Sequence, residues 1–188
     1  MESAMHQSVN QYRQLLARGG LAAAELLGQL VRLFRRDFQC ERVTIFLLDR
    51  DGRYVSAIAE GLPEMDIDVK SGEGLVGKAI EQREILVSNR AAYDVRSLCR
   101  GRDHYTGFQT HSLLAAPIGG KMGRVIGAVQ LINKIGGEFT AADREQMAAV
   151  TAELATLGDR IPRPISNLWA DWQEIAPPRI CQQVILAE

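Results

Sequence analysis

The sequence predicts an α+β domain, with a central antiparallel sheet, the N- and C-terminal helices on one face and a long loop over the other. Three observations predict it. Apolar residues recur at helical spacing up to Phe38 and then switch to a continuous strand-like run at Val43. Two pairs of strand-like runs, each joined by a turn, flank a polar stretch (89–110) with no steady period. A helix with a capping sequence follows, opening at Phe139-Thr140-Ala141-Ala142-Asp143.

The bulk numbers suit one domain with helical extensions. The chain has 188 residues, 46% hydrophobic and 24% charged, which gives apolar surface enough for a core. A net charge of −1 offers no general attraction to nucleic acid or an anionic membrane, so neither partner is expected. No apolar run approaches the roughly 20 residues of a membrane span. Met1 to His6 carry an acid and no apolar stretch, unlike a secretory signal. Cys40, Cys99 and Cys181 are odd in number and far apart, which fits reduced thiols in the cytoplasm.

Along the chain, Val9, Tyr12 and Leu16 mark a first helix that Gly19-Gly20 interrupts. Leu21, Leu27, Leu30, Val31, Phe34 and Phe38 form the stripe of a second. Arg32, Arg35 and Arg36 lie near its C-terminal end, where cations complement the helix dipole. Residues 43–48 read as a buried strand, 49–52 as a turn and 54–59 as a second strand, together a hairpin. Gly72 to Ile80 is a glycine-spaced start to a short helix, and Ile85-Leu86-Val87 a brief strand. The 89–110 connection is longer than most, and such loops commonly carry function. Strands over 113–118 and 124–133 follow, joined by the glycine turn between them. Thr140 is the N-cap of the last helix; Met147, Val150, Leu154, Leu157 and Ile161 are its stripe, and Pro162 and Pro164 its stop. The division is therefore 1–39 as N-terminal helices for linkage or dimerisation, 40–161 as the domain, and 162–188 as a tail containing Trp169 and Trp172.

A search for catalytic and metal-binding patterns finds none. His104 and His111 have no Cys or carboxylate at ligand spacing. Gly72-x-Gly74-x-x-Gly77 has the letters of a dinucleotide fingerprint without the βαβ unit it needs. Cys99 has no neighbouring base in sequence and reads as a small apolar residue. Two polar residues stand out on apolar strand faces. Gln130 shares a face with Ile126, Ala128 and Ile132, and Thr44 with Phe46 and Leu48. A buried amide is costly unless satisfied, by nearby backbone or by the edge of a ligand such as a purine.

Two segments, Thr106 to Ile118 and Val125 to Lys134, combine with Gly74-Leu75-Val76-Gly77 and the opening strand. Together they resemble the GAF domain family, and more narrowly the GAF domains of cyclic-nucleotide phosphodiesterases and adenylyl cyclases. The resemblance covers roughly residues 40 to 160. Asn133, Lys134, Phe139 and Asp143 match four positions of the family's Asn-Lys-Phe-Asp-Glu signature, with Arg144 where the family has Glu. The resemblance implies a pocket under the long loop, a structural Lys134–Asp143 ion pair and no catalytic residue, metal or cofactor.

It further implies that the ligand is cAMP or cGMP. Asp103, Thr106 and Thr110 match the loop that closes over a bound cyclic nucleotide. Thr44 stands where the family often has Ser on the first strand, Glu60 and Gln130 match base-reading positions, and Leu75 and Val76 the backbone segment near the ligand. A helix around Tyr93 to Leu98 is expected to aim its N-terminus at a phosphate. Cys99 stands where the family has a tyrosine and Ala59 where an aromatic often packs on the purine, so both sites lose packing area. The implied role is a regulatory sensory module, signalling through its flanking helices as a homodimer. The alternatives are a GAF dimerisation module without a nucleotide, a free methionine sulfoxide reductase, which needs clustered cysteines, and a bilin photosensor, which needs Cys99 ligated.

Overall fold

The computed structural model describes residues 2–49, 51–60, 67–98, 103, 107–120 and 123–156. The elements in chain order are α1 (Glu2–Ala17), α2 (Ala23–Phe38), β1 (Cys40–Leu48), β2 (Tyr54–Ala59), β3 (Asp68–Val69), α3 (Gly74–Gln82), β4 (Leu86–Ser88), β5 (Leu113–Gly119), β6 (Val125–Lys134) and α4 (Ala141–Leu154). The six strands form one sheet in the order β3-β2-β1-β6-β5-β4, and every pairing is antiparallel. The glycine-spaced start of α3 therefore lies outside any parallel βαβ unit, and its resemblance to a dinucleotide fingerprint ends at the letters.

The period-two alternation of β1 and β6 separates two cores. Val43, Ile45, Leu47, Val129 and Leu131 face the helices, where they pack with Phe34, Phe38, Met147, Val150 and Leu154. Phe46 and Ala128 face the other way, packing with Leu113, Ala115 and the α3 residues Leu75, Val76, Ala79 and Ile80. On the helical face, α1 seats Tyr12, Leu15 and Leu16 in the core, with the Tyr12 and Phe34 rings 5.2 Å apart. Polar contacts tie the three helices at their edges. Arg13 reaches Glu153 with two nitrogens, at 3.1 and 2.7 Å. Ser8 donates to Asp37 at 2.6 Å and accepts from Gln146 at 3.2 Å. The described apolar residues of these helices pack into the domain's own core.

Two sequence expectations are corrected. The segment from Tyr93 to Leu98 forms turns, not a helix. Asp94 accepts from both the backbone and the guanidinium of Arg96, which also donates to the Val87 carbonyl at 3.3 Å. This local side-chain bonding favours turns over helix, and Arg96 holds the Asp94 carboxyl well below the usual range. Ile126 does not share the face of Ala128 and Gln130. The β5–β6 register shifts between Ile118 and Gly119, which turns Val125 toward the α3 core and Ile126 toward the helical layer. Leu157, Ile161, the two prolines after them and the Trp-containing tail lie outside the described residues.

Phe34 is fully buried where α1, α2 and the sheet meet. Phe34→Ala is expected to cost about 3–5 kcal/mol in urea unfolding, whereas Arg32→Ala, on the exposed side of α2, stays within about 0.5 kcal/mol.

Candidate functional site

Strand pairing sets four residues side by side across the sheet. Thr44 of β1 pairs with Ala59 of β2 and with Gln130 of β6, and Gln130 pairs in turn with Ala115 of β5. Directly opposite residues project to the same face, so two polar side chains stand between two alanines. Thr44 and Gln130 line a cavity of about 120 Å³. Thr44 is 3% and Gln130 7% exposed. Neither the Thr44 hydroxyl nor the Gln130 amide has a hydrogen-bond partner among the described residues.

The first turn of α3 forms one wall, through Gly74, Leu75 and Val76. The earliest helical N–H with an acceptor is that of Gly77, on the Glu73 carbonyl at 3.0 Å. The Glu73 N-cap makes no side-chain cap hydrogen bond, and the apolar Leu98 side chain packs close to Gly74 at this end. Gly77 is required because a Cβ there would run into the Lys70 carbonyl.

Glu60, Asp103 and Thr110 also line the cavity, but the chain itself engages their polar atoms. Glu60 accepts from the Val43 N–H at 2.9 Å and from Arg35 at 3.3 Å. Burial pushes its pKa up, partly offset by Arg35 and the Val43 N–H. Asp103 accepts from the Thr110 N–H and hydroxyl, at 2.8 and 2.7 Å. Asp103 and Thr110 thus shape the rim. Cys99 and Thr106 lie outside the described residues. Two residues not singled out in the sequence complete this side: the Arg42 guanidinium lies 3.6 Å from the centroid of the Phe108 ring. Arg42 is two residues before Thr44 on the same strand face, so period two alone places it there; nothing in the sequence pairs it with Phe108.

The signature residues brace this arrangement and are not part of its lining. Asn133 has φ 56°, a conformation that asparagine tolerates better than most residues. Its side-chain oxygen accepts from the His111 and Ser112 N–H groups at 2.7 and 3.2 Å, and its amide donates to Glu41 and to the Gln109 carbonyl, both at 2.8 Å. Lys134 donates to Asp143 at 2.7 Å, with side chains 16% and 10% exposed. The same carboxylate closes a capping box with Thr140. Burial opposes the charge on Asp143, but the bonds from Lys134 and Thr140 outweigh it and lower its pKa. Phe139 is held by Asn89, whose side chain both accepts from its N–H at 2.9 Å and donates to its carbonyl at 3.0 Å. Asn89 gave no signal in the sequence, because the bond spans a separation that no local pattern encodes.

Among the described residues no group of three or more His, Cys, Asp or Glu is placed to hold a metal. No described helix is long and apolar enough to cross a membrane. Cys40 is buried in the helix-side core, and burial pushes its thiol up to about 12, which keeps it protonated and unreactive.

The chain matches the GAF domain family over residues 23–157 and belongs to it. The match takes in α2, which the sequence division grouped with the N-terminal helices. The chain is similar to the dual 3',5'-cyclic-AMP and -GMP phosphodiesterase 11A of Takifugu rubripes, 31% identical over 120 residues, covering 57% of this chain and 13% of that protein. It is likewise 31% identical over 105 residues to the dual phosphodiesterase 11 of Drosophila melanogaster, covering 56% and 7%. It therefore spans only a small part of these relatives. Among solved structures, the GAF domain of an Acinetobacter phosphoenolpyruvate-protein phosphotransferase superposes with a TM-score of 0.67 at 22% identity, over 82% of this chain and 92% of that one. A free methionine-R-sulfoxide reductase from Neisseria meningitidis superposes with a TM-score of 0.66 at 16% identity, over 81% and 86%. Both share the fold.

Asp143→Asn removes the charge opposite Lys134 and is expected to cost about 3 kcal/mol, the low end for breaking a buried pair. Because the folded pKa of Asp143 is depressed, its contribution is full above the unfolded value of about 3.9 and is lost as pH falls through the folded one. Denaturant titrations at pH 7 and pH 3 should show the gap between wild type and variant narrowing at the lower pH.

Proposed function

We propose that this GAF domain is a non-catalytic sensory module whose cavity binds a cyclic nucleotide. The observation that carries this reading is the Gln130 amide, paired with Thr44, lining the cavity and without a side-chain partner among the described residues. A purine edge supplies the donors and acceptors that an amide presented to a cavity can meet. The uncapped start of α3 supplies backbone N–H groups for the phosphate. Similarity to phosphodiesterases named for cyclic AMP and cyclic GMP supports the same ligand class. The cavity, at about 120 Å³, is smaller than the roughly 300 Å³ of the smallest sites for drug-sized ligands. Binding a nucleotide therefore requires the cavity to widen, and in this reading that widening couples occupancy to signal.

A thiol-based sulfoxide reductase is less well supported. Cys40 lies on the helical side of the sheet with a protonated thiol, away from the cavity.

Melting temperature followed during titration with cAMP and with cGMP tests the proposal. Either ligand at a hundredfold excess over its Kd should stabilise the protein by about 2.7 kcal/mol, and no shift with either at millimolar concentration would overturn it. Gln130→Leu removes the amide that lines the cavity. The free variant should stay within about 1 kcal/mol of wild type in stability, while its response to ligand is lost.

A further inference from the structure

Arg42 has an unusual electrostatic setting. Burial works against its charge and lowers its pKa, and Glu41, Glu60 and Asp103 offset this only in part; each of these carboxylates bonds elsewhere. Glu41 takes the Asn133 amide at 2.8 Å, Glu60 takes Arg35 and the Val43 N–H, and Asp103 takes Thr110 twice. Among the described residues, the guanidinium forms no ion pair and donates no hydrogen bond. It stacks on Phe108 and borders the cavity. Three carboxylates thus lie near its charge, while its N–H donors are unused among the described residues.

That combination selects among ligand groups. An anion placed at Arg42 meets the field of three carboxylates already there, whereas an uncharged acceptor does not. The planar guanidinium fork matches two adjacent acceptors on one edge. Guanine presents O6 and N7 side by side, while adenine sets an amino donor beside N7. Arg42 also lies on the strand face of Thr44, two residues away, so one base can reach both.

We propose that Arg42, held by Phe108, makes the cavity selective for a guanine base, through paired N–H donation to O6 and N7. This rests on the cyclic-nucleotide reading and names the preferred member of that class.

Calorimetric titration of the whole chain with cGMP, cAMP and the cyclic inosine monophosphate tests it, because the inosine analogue keeps O6 and N7 and lacks the exocyclic amino group. Wild type should bind cGMP and the inosine analogue roughly tenfold or more tightly than cAMP. Arg42→Gln should bring the three within about twofold of one another, and Phe108→Leu, which keeps the charge and removes its platform, should narrow the same ratio. Melting of each free variant near the wild-type temperature establishes that it is folded. Equal affinities in wild type, or a ratio that survives both substitutions, overturns the role of Arg42 and leaves the cyclic-nucleotide reading in place. Binding of none of the three by folded wild type overturns that reading, and this one with it.

Discussion

One amide holds the working side of this domain together. Asn133 leaves the extended conformation at the end of β6, and its four side-chain hydrogen bonds fasten the Gln109–Ser112 segment to β6 and to Glu41 of β1. Thr110 lies within that segment and holds Asp103, and Phe108 beside it carries the Arg42 guanidinium. The neighbouring Lys134 fixes the start of α4 through Asp143. The rim of the cavity and the entry into the last helix therefore hang from two consecutive residues. A buried side chain whose donors and acceptors are all engaged gives one geometry and disfavours alternatives.

The floor of the cavity follows the opposite logic. Thr44 and Gln130 are as buried as the bracing residues, yet among the described residues their side chains have no partners, and both line the cavity. Under the reading proposed for this domain these two side chains serve recognition, while the Asn133 bonds hold the neighbouring rim.

Much of this was legible in the sequence. The change of apolar period at Val43, the two hairpins and the Thr140 cap fixed the order of the elements, and period-two counting placed Thr44 and Gln130 on the cavity face. Ile126 escaped that counting because a bulge in β5–β6 shifts the phase, and a bulge has no reliable sequence mark here. The turns at 93–98 escaped because a side chain–backbone pair, Asp94 with Arg96, outcompeted helical spacing. The partnerships of Asn89 with Phe139 and of Arg42 with Phe108 are tertiary, and no local pattern encodes them. Glu60 and Asp103 were located correctly around the cavity, while their engagement with Val43, Arg35 and Thr110 emerged only from geometry.

The alternation of β6 has a bearing on distance. Gln130 projects to the cavity, whereas Val129 and Leu131, on either side of it, project into the helical core against which α1, α2 and α4 pack. The cavity face and the helix-packing face are therefore the two sides of a single pleat. Under the proposed reading, a shift or twist of this one strand would move both at once, with no chain of intermediates to relay it.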